Sequence, residues 1–81
     1  MTWIVYILEC ADGSLYTGIT NDLERRLRSH ASGTGAKYTK RRGPFTVRYT
    51  ESLDSRGAAL QREAAIKALD RSAKLALLTI P

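Results

Sequence analysis

Eighty-one residues leave room for one small core, because domains near this length bury only about 60–65% of the surface their unfolded chains expose. A two-lobed enzyme with a cleft between domains is excluded, and one domain over residues 1–81 is expected. Hydrophobic residues at 43% and charged residues at 26% exclude bulk disorder. Thirteen basic residues against eight acidic ones leave a net charge of +5, which favours polyanionic partners, nucleic acid before acidic membrane surfaces.

In chain order, residues 3–10 carry β-branched and aromatic types and predict a strand covered on both faces. This apolar run is broken by Glu9, has no basic residues before it, and falls far short of the ~20 residues of a membrane span. Neither targeting nor membrane anchoring is expected. Cys10 is the one cysteine, so no internal disulfide forms, and with one histidine it falls short of a closed zinc site. That usage points to a reducing, cytoplasmic setting.

Ala11-Asp12-Gly13 is a turn signal, and Ser14 to Thr20 predicts a second strand closing a hairpin. Asn21 is placed as a helix N-cap with Glu24 as its capping-box partner. The helix it opens, roughly 22–31, has Leu23, Leu27 and Ala31 on its apolar stripe and ends at Ser32-Gly33-Thr34-Gly35. A basic loop follows, from Lys37 to Gly43-Pro44. Residues 45–50 alternate with period two, the pattern of a half-exposed strand. Ser55 or Asp54 caps an alanine- and leucine-rich helix to about Leu69, and Asp70 caps a last helix through Leu78. The order β-β-α-β-α-α predicts an α+β fold, a small antiparallel three-stranded sheet flanked by helices.

The hairpin loop decides which side chains meet. A two-residue loop, Asp12-Gly13, puts Tyr6 and Tyr16 on opposite faces. A three-residue loop, Ala11-Asp12-Gly13, closes on Cys10 and Ser14 with glycine in the left-handed position such loops need. It pairs Leu8 with Tyr16 and Tyr6 with Gly18, so both phenols share a face with open space opposite Tyr6. The three-residue loop is the expected one. Two phenols beside a vacancy suggest a pocket; the plainer account is that tyrosines suit strands.

Arg25, Arg26, Arg28, Lys37, Lys40, Arg41, Arg42 and Arg48 form a run without an acidic residue between Glu24 and Glu51. Such a field favours phosphate backbone and makes binding salt-dependent, although a solvated charged face explains it too. Tyr38 lies among these cations and can stack on a base. Arg25, Lys37, Tyr38, Lys40, Arg41 and Arg42 are therefore the candidate nucleic-acid contacts.

Arg26 and His30, four apart, share one edge of the first helix beside the Leu23/Leu27 stripe. A guanidinium binds phosphate oxygens bidentately, and an imidazole shuttles a proton near neutral pH. The plainer roles are a surface arginine and a helix-end cation favoured by the dipole. Glu63, at the border of an apolar stripe on the later helix, is a candidate ligand for a hard cation such as Mg²⁺. It is also placed for an i,i+4 ion pair with Lys67.

Together these residues resemble a known family. Ile4-Val5-Tyr6, ten residues before Tyr16-Thr17-Gly18, resembles the paired signature of the GIY-YIG nucleases, with Ile4 replacing the first glycine. Arg26 follows the second tyrosine by ten residues, His30 by four more, and Glu63 lies well down a later helix. The Gly35-Ala36-Lys37-Tyr38-Thr39 stretch resembles one found in the family's short stand-alone bacterial members. The family's later asparagine has no counterpart, since Asn21 is the one asparagine.

The resemblance implies phosphodiester hydrolysis around one divalent cation, Mg²⁺ or Mn²⁺. It implies Glu63 as metal ligand, Arg26 on the phosphate charge, Tyr6 activating water, and Tyr16 and His30 positioning or sharing the proton. Gly18 is its backbone position. A weakly specific endonuclease is expected, on DNA before RNA, in DNA repair or processing. A binding module that has lost turnover is the alternative, ahead of a protein-interaction adaptor.

Overall fold

A computed structural model describes residues 2–32 and 43–78. Its elements are β1 (Trp3–Glu9), β2 (Leu15–Thr20), α1 (Leu23–Ala31), β3 (Thr46–Leu53), α2 (Arg56–Lys67) and α3 (Arg71–Leu78). The sheet runs β2-β1-β3 with both pairings antiparallel, so the expected α+β architecture is the one found.

The apolar run near the N-terminus takes the central strand. Val5 and Ile7 pack with Ala59 and Ile66 of α2, and Leu77 and Leu78 of α3 lie against that cluster. Side chains alternate along a strand, so Tyr6 faces the other way and meets α1 through His30. With a helical layer on each face, Val5, Tyr6, Ile7 and Leu8 are all fully buried. A strand covered on both sides has no polar face to show, which is why its sequence does not alternate.

Residues 11–13 form the expected three-residue loop. Cys10 N–H donates to the Ser14 carbonyl at 2.8 Å, and Gly13 N–H donates to the Cys10 carbonyl at 2.9 Å. Gly13 takes φ of 84°, where a Cβ is strained. The register pairs Leu8 with Tyr16 and Tyr6 with Gly18. Tyr6 and Tyr16 therefore share the α1 face of the sheet.

The helix start needs a correction. Asp22, not Asn21, caps α1, its carboxylate accepting from Arg25 N–H at 3.1 Å. Thr20 Oγ1 bonds both the carbonyl and the N–H of Asp22, which delays the helix by one residue. Glu24 then cannot complete a capping box; its carboxylate lies 3.5 Å from Arg28 instead. The apolar stripe also differs, because Ala31 is exposed and His30 is the buried residue of α1.

Ser55 caps α2 and Asp70 accepts from Ala73 N–H at 2.8 Å, both as expected, although α2 stops at Lys67 rather than Leu69. The third strand reaches Leu53, three residues beyond the alternating stretch. A latch explains the extension: Glu51 accepts from Tyr49 Oη at 2.7 Å and from Arg62 Nε at 2.9 Å, tying β3 to α2. These two donors hold the Glu51 carboxyl below its ordinary value, so its contribution is present at neutral pH and fades in acid. Glu51→Gln should lower the melting temperature by about 2–8 °C at pH 7, after allowing for solvent screening of the pair. A calorimetric scan repeated near pH 3 should show the difference shrinking. No helix among the described residues is long and apolar enough to cross a membrane.

Candidate active site

The hairpin register and α1 together build a compact polar cluster inside the sheet–helix layer. Arg26 Nε donates to Tyr6 Oη at 3.3 Å, and Tyr6 Oη lies 2.8 Å from His30 Nε2. Arginine only donates, so Tyr6 Oη accepts from Arg26, and in the Nδ1–H tautomer of His30 the phenol donates to Nε2. The three side chains form a directed chain from guanidinium to phenol to imidazole. Tyr16 completes it, its ring centroid 6.3 Å from that of Tyr6 and 5.3 Å from that of His30.

Burial sets the protonation states. Desolvation raises the Tyr6 phenol above its ordinary value of 10.0, opposed by the hydrogen bond from Arg26, while the charges of Tyr16 and Glu63 push the same way as burial. Desolvation and then the Arg26 charge lower His30 below 6.5, which keeps the imidazole neutral and able to accept. Arg26 is raised above its ordinary value, chiefly by its bond to Tyr6, so its charge is fixed.

The vacancy expected opposite Tyr6 is not there. A Cβ on Gly18 would lie 2.7 Å from Tyr6 Oη, 2.8 Å from Tyr6 Cζ and 3.0 Å from Tyr16 Cε2. The two phenols occupy the space that the missing side chain leaves. Gly18 is thus a contact surface for Tyr6 rather than the floor of a pocket. Gly18→Ala should displace the phenol and cost about 1–3 kcal/mol, read as a lower denaturation midpoint together with loss of the Tyr6–His30 contact in NMR.

Openings lie beside the cluster. Thr20, Asn21, Asp22, Arg25, Arg26 and Ser29 line a polar hollow of 290 Å³ on the α1 surface. A phosphate would meet Arg26 and Arg25 there. A larger, 540 Å³ hollow bordered by Leu27, Ala31, Gly43, Pro44, Phe45 and Val47 carries no ionisable side chain. Phe45 was not among the sequence candidates, yet its ring packs edge-on to His30 with centroids 6.0 Å apart. Its position just after Gly43-Pro44 was legible only as the start of a strand.

Glu63 lies on α2, near enough for its charge to act on the Tyr6 phenol. It follows Ala59 by four residues and precedes Ile66 by three, so it shares their inward face of α2, and its side chain is 19% exposed. Its carboxylate lies 3.5 Å from Lys67 Nζ, the pair expected from spacing. Its charge reaches the cluster, because it is one of the groups that raise the Tyr6 phenol. The structure thus brings together four of the five catalytic candidates and sets the fifth on the neighbouring helix. The basic field is thinner than its sequence suggests, since Arg48 pairs with Glu9 and Arg28 with Glu24. Lys37, Tyr38, Lys40, Arg41 and Arg42 lie outside the described residues.

Residues 2–76 match the GIY-YIG catalytic domain. The chain belongs to that family. Among similar relatives, a UPF0213 protein of Halobacterium salinarum is 53% identical over 73 residues, covering 90% of this chain and 95% of its own. A UPF0213 protein of Oceanobacillus iheyensis is 54% identical over 74 residues, covering 91% and 86%. The solution NMR structure of the UPF0213 protein BH0048 from Bacillus halodurans matches with a TM-score of 0.64 at 49% identity, over 98% of this chain and 84% of that one. The solution NMR structure of the protein EF2693 from E. faecalis gives 0.66 at 44% identity, over 98% and 85%. A GIY-YIG domain places the chain in a nuclease family.

Proposed function

We propose that this chain is a divalent-cation-dependent endonuclease of low specificity, hydrolysing phosphodiester bonds in nucleic acid, DNA before RNA. The observation that carries the reading is the Arg26–Tyr6–His30 hydrogen-bond chain. It places a fixed positive charge beside a phenol that lies within hydrogen-bond distance of a neutral imidazole. Phosphoryl transfer needs positioned positive charge and an aligned nucleophile, and this arrangement offers both.

In this reading the scissile phosphate enters the Arg25/Arg26 hollow and draws the Arg26 guanidinium onto its oxygens. Tyr6 has no exposed surface, so this movement is also what opens the phenol to the attacking water. Tyr6 takes the water's proton as its own passes to His30, and Tyr16 holds both rings in place. Glu63 would hold the cation. One half-buried carboxylate suits Mg²⁺ or Mn²⁺, which Mg²⁺ chemistry shows can be held by one or two carboxylates plus phosphate and water. Zinc-type ligation does not fit, because the described residues hold no group of three or more His, Cys, Asp or Glu. When bound, the cation supplies positive charge to the phosphate oxygens.

The setting proposed is cytoplasmic repair or processing, within one domain and away from membranes. Complete burial of Tyr6 favours a second reading, a nucleic-acid-binding module without turnover. Purified protein incubated with DNA and RNA substrates, in Mg²⁺, Mn²⁺ or EDTA, separates the two. Metal-dependent cleavage supports the nuclease, and binding without cleavage under every condition supports the module. In both, affinity should fall with salt at a log–log slope of roughly −0.7 to −0.9 per phosphate contact. Neutralising Lys40, Arg41 and Arg42 should flatten it; an affinity indifferent to salt would remove the basic segment from the argument.

A further inference from the structure

Phe45 stands between the buried cluster and the larger hollow. Its ring packs edge-on to His30, with centroids 6.0 Å apart and planes at 61°, and it also borders the 540 Å³ hollow. Leu27 and Ala31, which flank His30 on α1, border the same hollow. His30 itself does not, and only 1% of it is exposed. The helix turns the imidazole toward the sheet, and the Phe45 ring covers it where the chain enters β3.

His30 thus sits among three rings. Tyr6 from β1 meets it at 66° with centroids 5.9 Å apart, and Tyr16 from β2 at 64° and 5.3 Å. Edge-on pairs of this kind fix a ring's orientation, because a positive ring edge seeks a negative ring face. Tyr6 also engages the imidazole through its hydroxyl, at 2.8 Å. Phe45 has no polar atom on its side chain, so it acts on His30 only by holding it and by excluding water. Its own place is set by Gly43. A Cβ there would lie 3.4 Å from Phe45 Cε2 and 3.8 Å from Cδ2, so bare backbone lies against the ring. Thr46, the next residue, pairs with Glu9 and anchors Phe45 to the central strand.

We propose that Phe45 is a positioning residue of the candidate active site, whose ring keeps the His30 imidazole on Tyr6 Oη and seals it from solvent in the adjoining hollow. The inference rests on the nuclease reading, in which the imidazole takes the phenol's proton, and adds a residue outside the hydrogen-bond chain on which that transfer depends. A proton acceptor has to be neutral and aligned. Burial is the first cause that lowers His30 and the Arg26 charge the second, so water at the imidazole would favour the imidazolium. His30 faces Tyr6 on β1, Tyr16 on β2 and Arg26 on its own helix, while from α2 the Glu63 charge acts on Tyr6. Phe45 adds no charge to this set. Opening its side of the imidazole therefore changes solvation and leaves the charges as they are.

The chain has one histidine, so NMR titration of the untagged protein follows the His30 imidazole without overlap. The wild-type midpoint is expected below 6.5. Phe45→Ala should raise it toward 6.5 but not past it, because Arg26 still faces the ring. The acid limb of the cleavage rate should rise by the same amount. Phe45→Met, whose unbranched apolar chain refills the gap, should bring both back. Val47→Ala widens the hollow while leaving the Phe45 ring in place, and should move neither. Should Phe45→Ala not fold, Phe45→Val, a good strand former without the ring, carries the same expectation. A side chain that only fills space would lower the melting temperature and leave the midpoint alone, and that result would overturn the proposal. A shifted midpoint with a stationary acid limb would overturn it too, since the histidine so placed would not serve the reaction. If wild type cleaves nothing in Mg²⁺ or Mn²⁺ while the midpoints behave as stated, the seal on His30 stands and the nuclease reading fails.

Discussion

Glu63→Gln is expected to abolish cleavage and leave nucleic-acid binding in place. The substitution keeps the side chain's size and removes its charge, and hard cations need anionic oxygen. With Glu63 as the one carboxylate ligand, loss of a charge-stabilising cation worth several kcal/mol lowers the rate by roughly 10²–10³-fold or more. Binding should persist or tighten, because a negative charge leaves a surface that receives phosphate. Folding should barely change, since the i,i+4 pair with Lys67 that it disrupts is worth only ~0.2–0.5 kcal/mol. Arg26→Ala is the contrasting variant. It should lose cleavage and weaken binding together, because its guanidinium serves both. Cleavage and binding measured side by side on the two variants, with circular dichroism to confirm folding, give the comparison. Wild-type rates from Glu63→Gln would refute the metal assignment outright.

What the sequence made legible was local, and what it hid was relational. The hairpin register followed from one turn, because Gly13 and a three-residue loop fix every pairing beyond them. That alone placed Tyr6, Tyr16 and Gly18 on one face. Spacing likewise put Arg26 and His30 on one helix edge, and the structure brings both to Tyr6 Oη. The N-cap was harder, because Asn21 and Asp22 are both good caps and only the Thr20 contacts decide between them. His30 reads as a helix-end cation until the sheet is known to cover it, for burial is a property of the partner surface. The gap beside Gly18 was misjudged for a similar reason: spacing gives the direction of a side chain but not the volume the phenols fill. The Glu51 latch joins β3 to Arg62 of α2, eleven residues on, and left no periodic trace.

Tyr6→Phe with a pH profile tests the proton path most directly. Phenylalanine keeps the ring that Gly18 admits but removes the oxygen, so Arg26 Nε and His30 Nε2 lose their shared partner. Cleavage should fall by about 10²–10⁴-fold, the usual worth of a positioned acid–base group. Stability should fall by about 1–3 kcal/mol, because a buried acceptor is left unsatisfied. The wild-type rate should be flat near neutrality and drop on the acid side as His30 becomes an imidazolium and can no longer accept. Burial, and then the Arg26 charge, hold His30 below its ordinary 6.5, so that limb has its midpoint beneath 6.5. The same depressed value makes His30 a source of stability above 6.5 that is lost as pH falls through its lower, folded value. Rate and stability therefore weaken in one window, and circular dichroism at each pH must show the fold intact where the rate is already falling. His30→Ala should be slow throughout and lack the acid limb. A limb that survives in this variant would mean that another group accepts the phenol's proton, and the Arg26–Tyr6–His30 path would have to be abandoned.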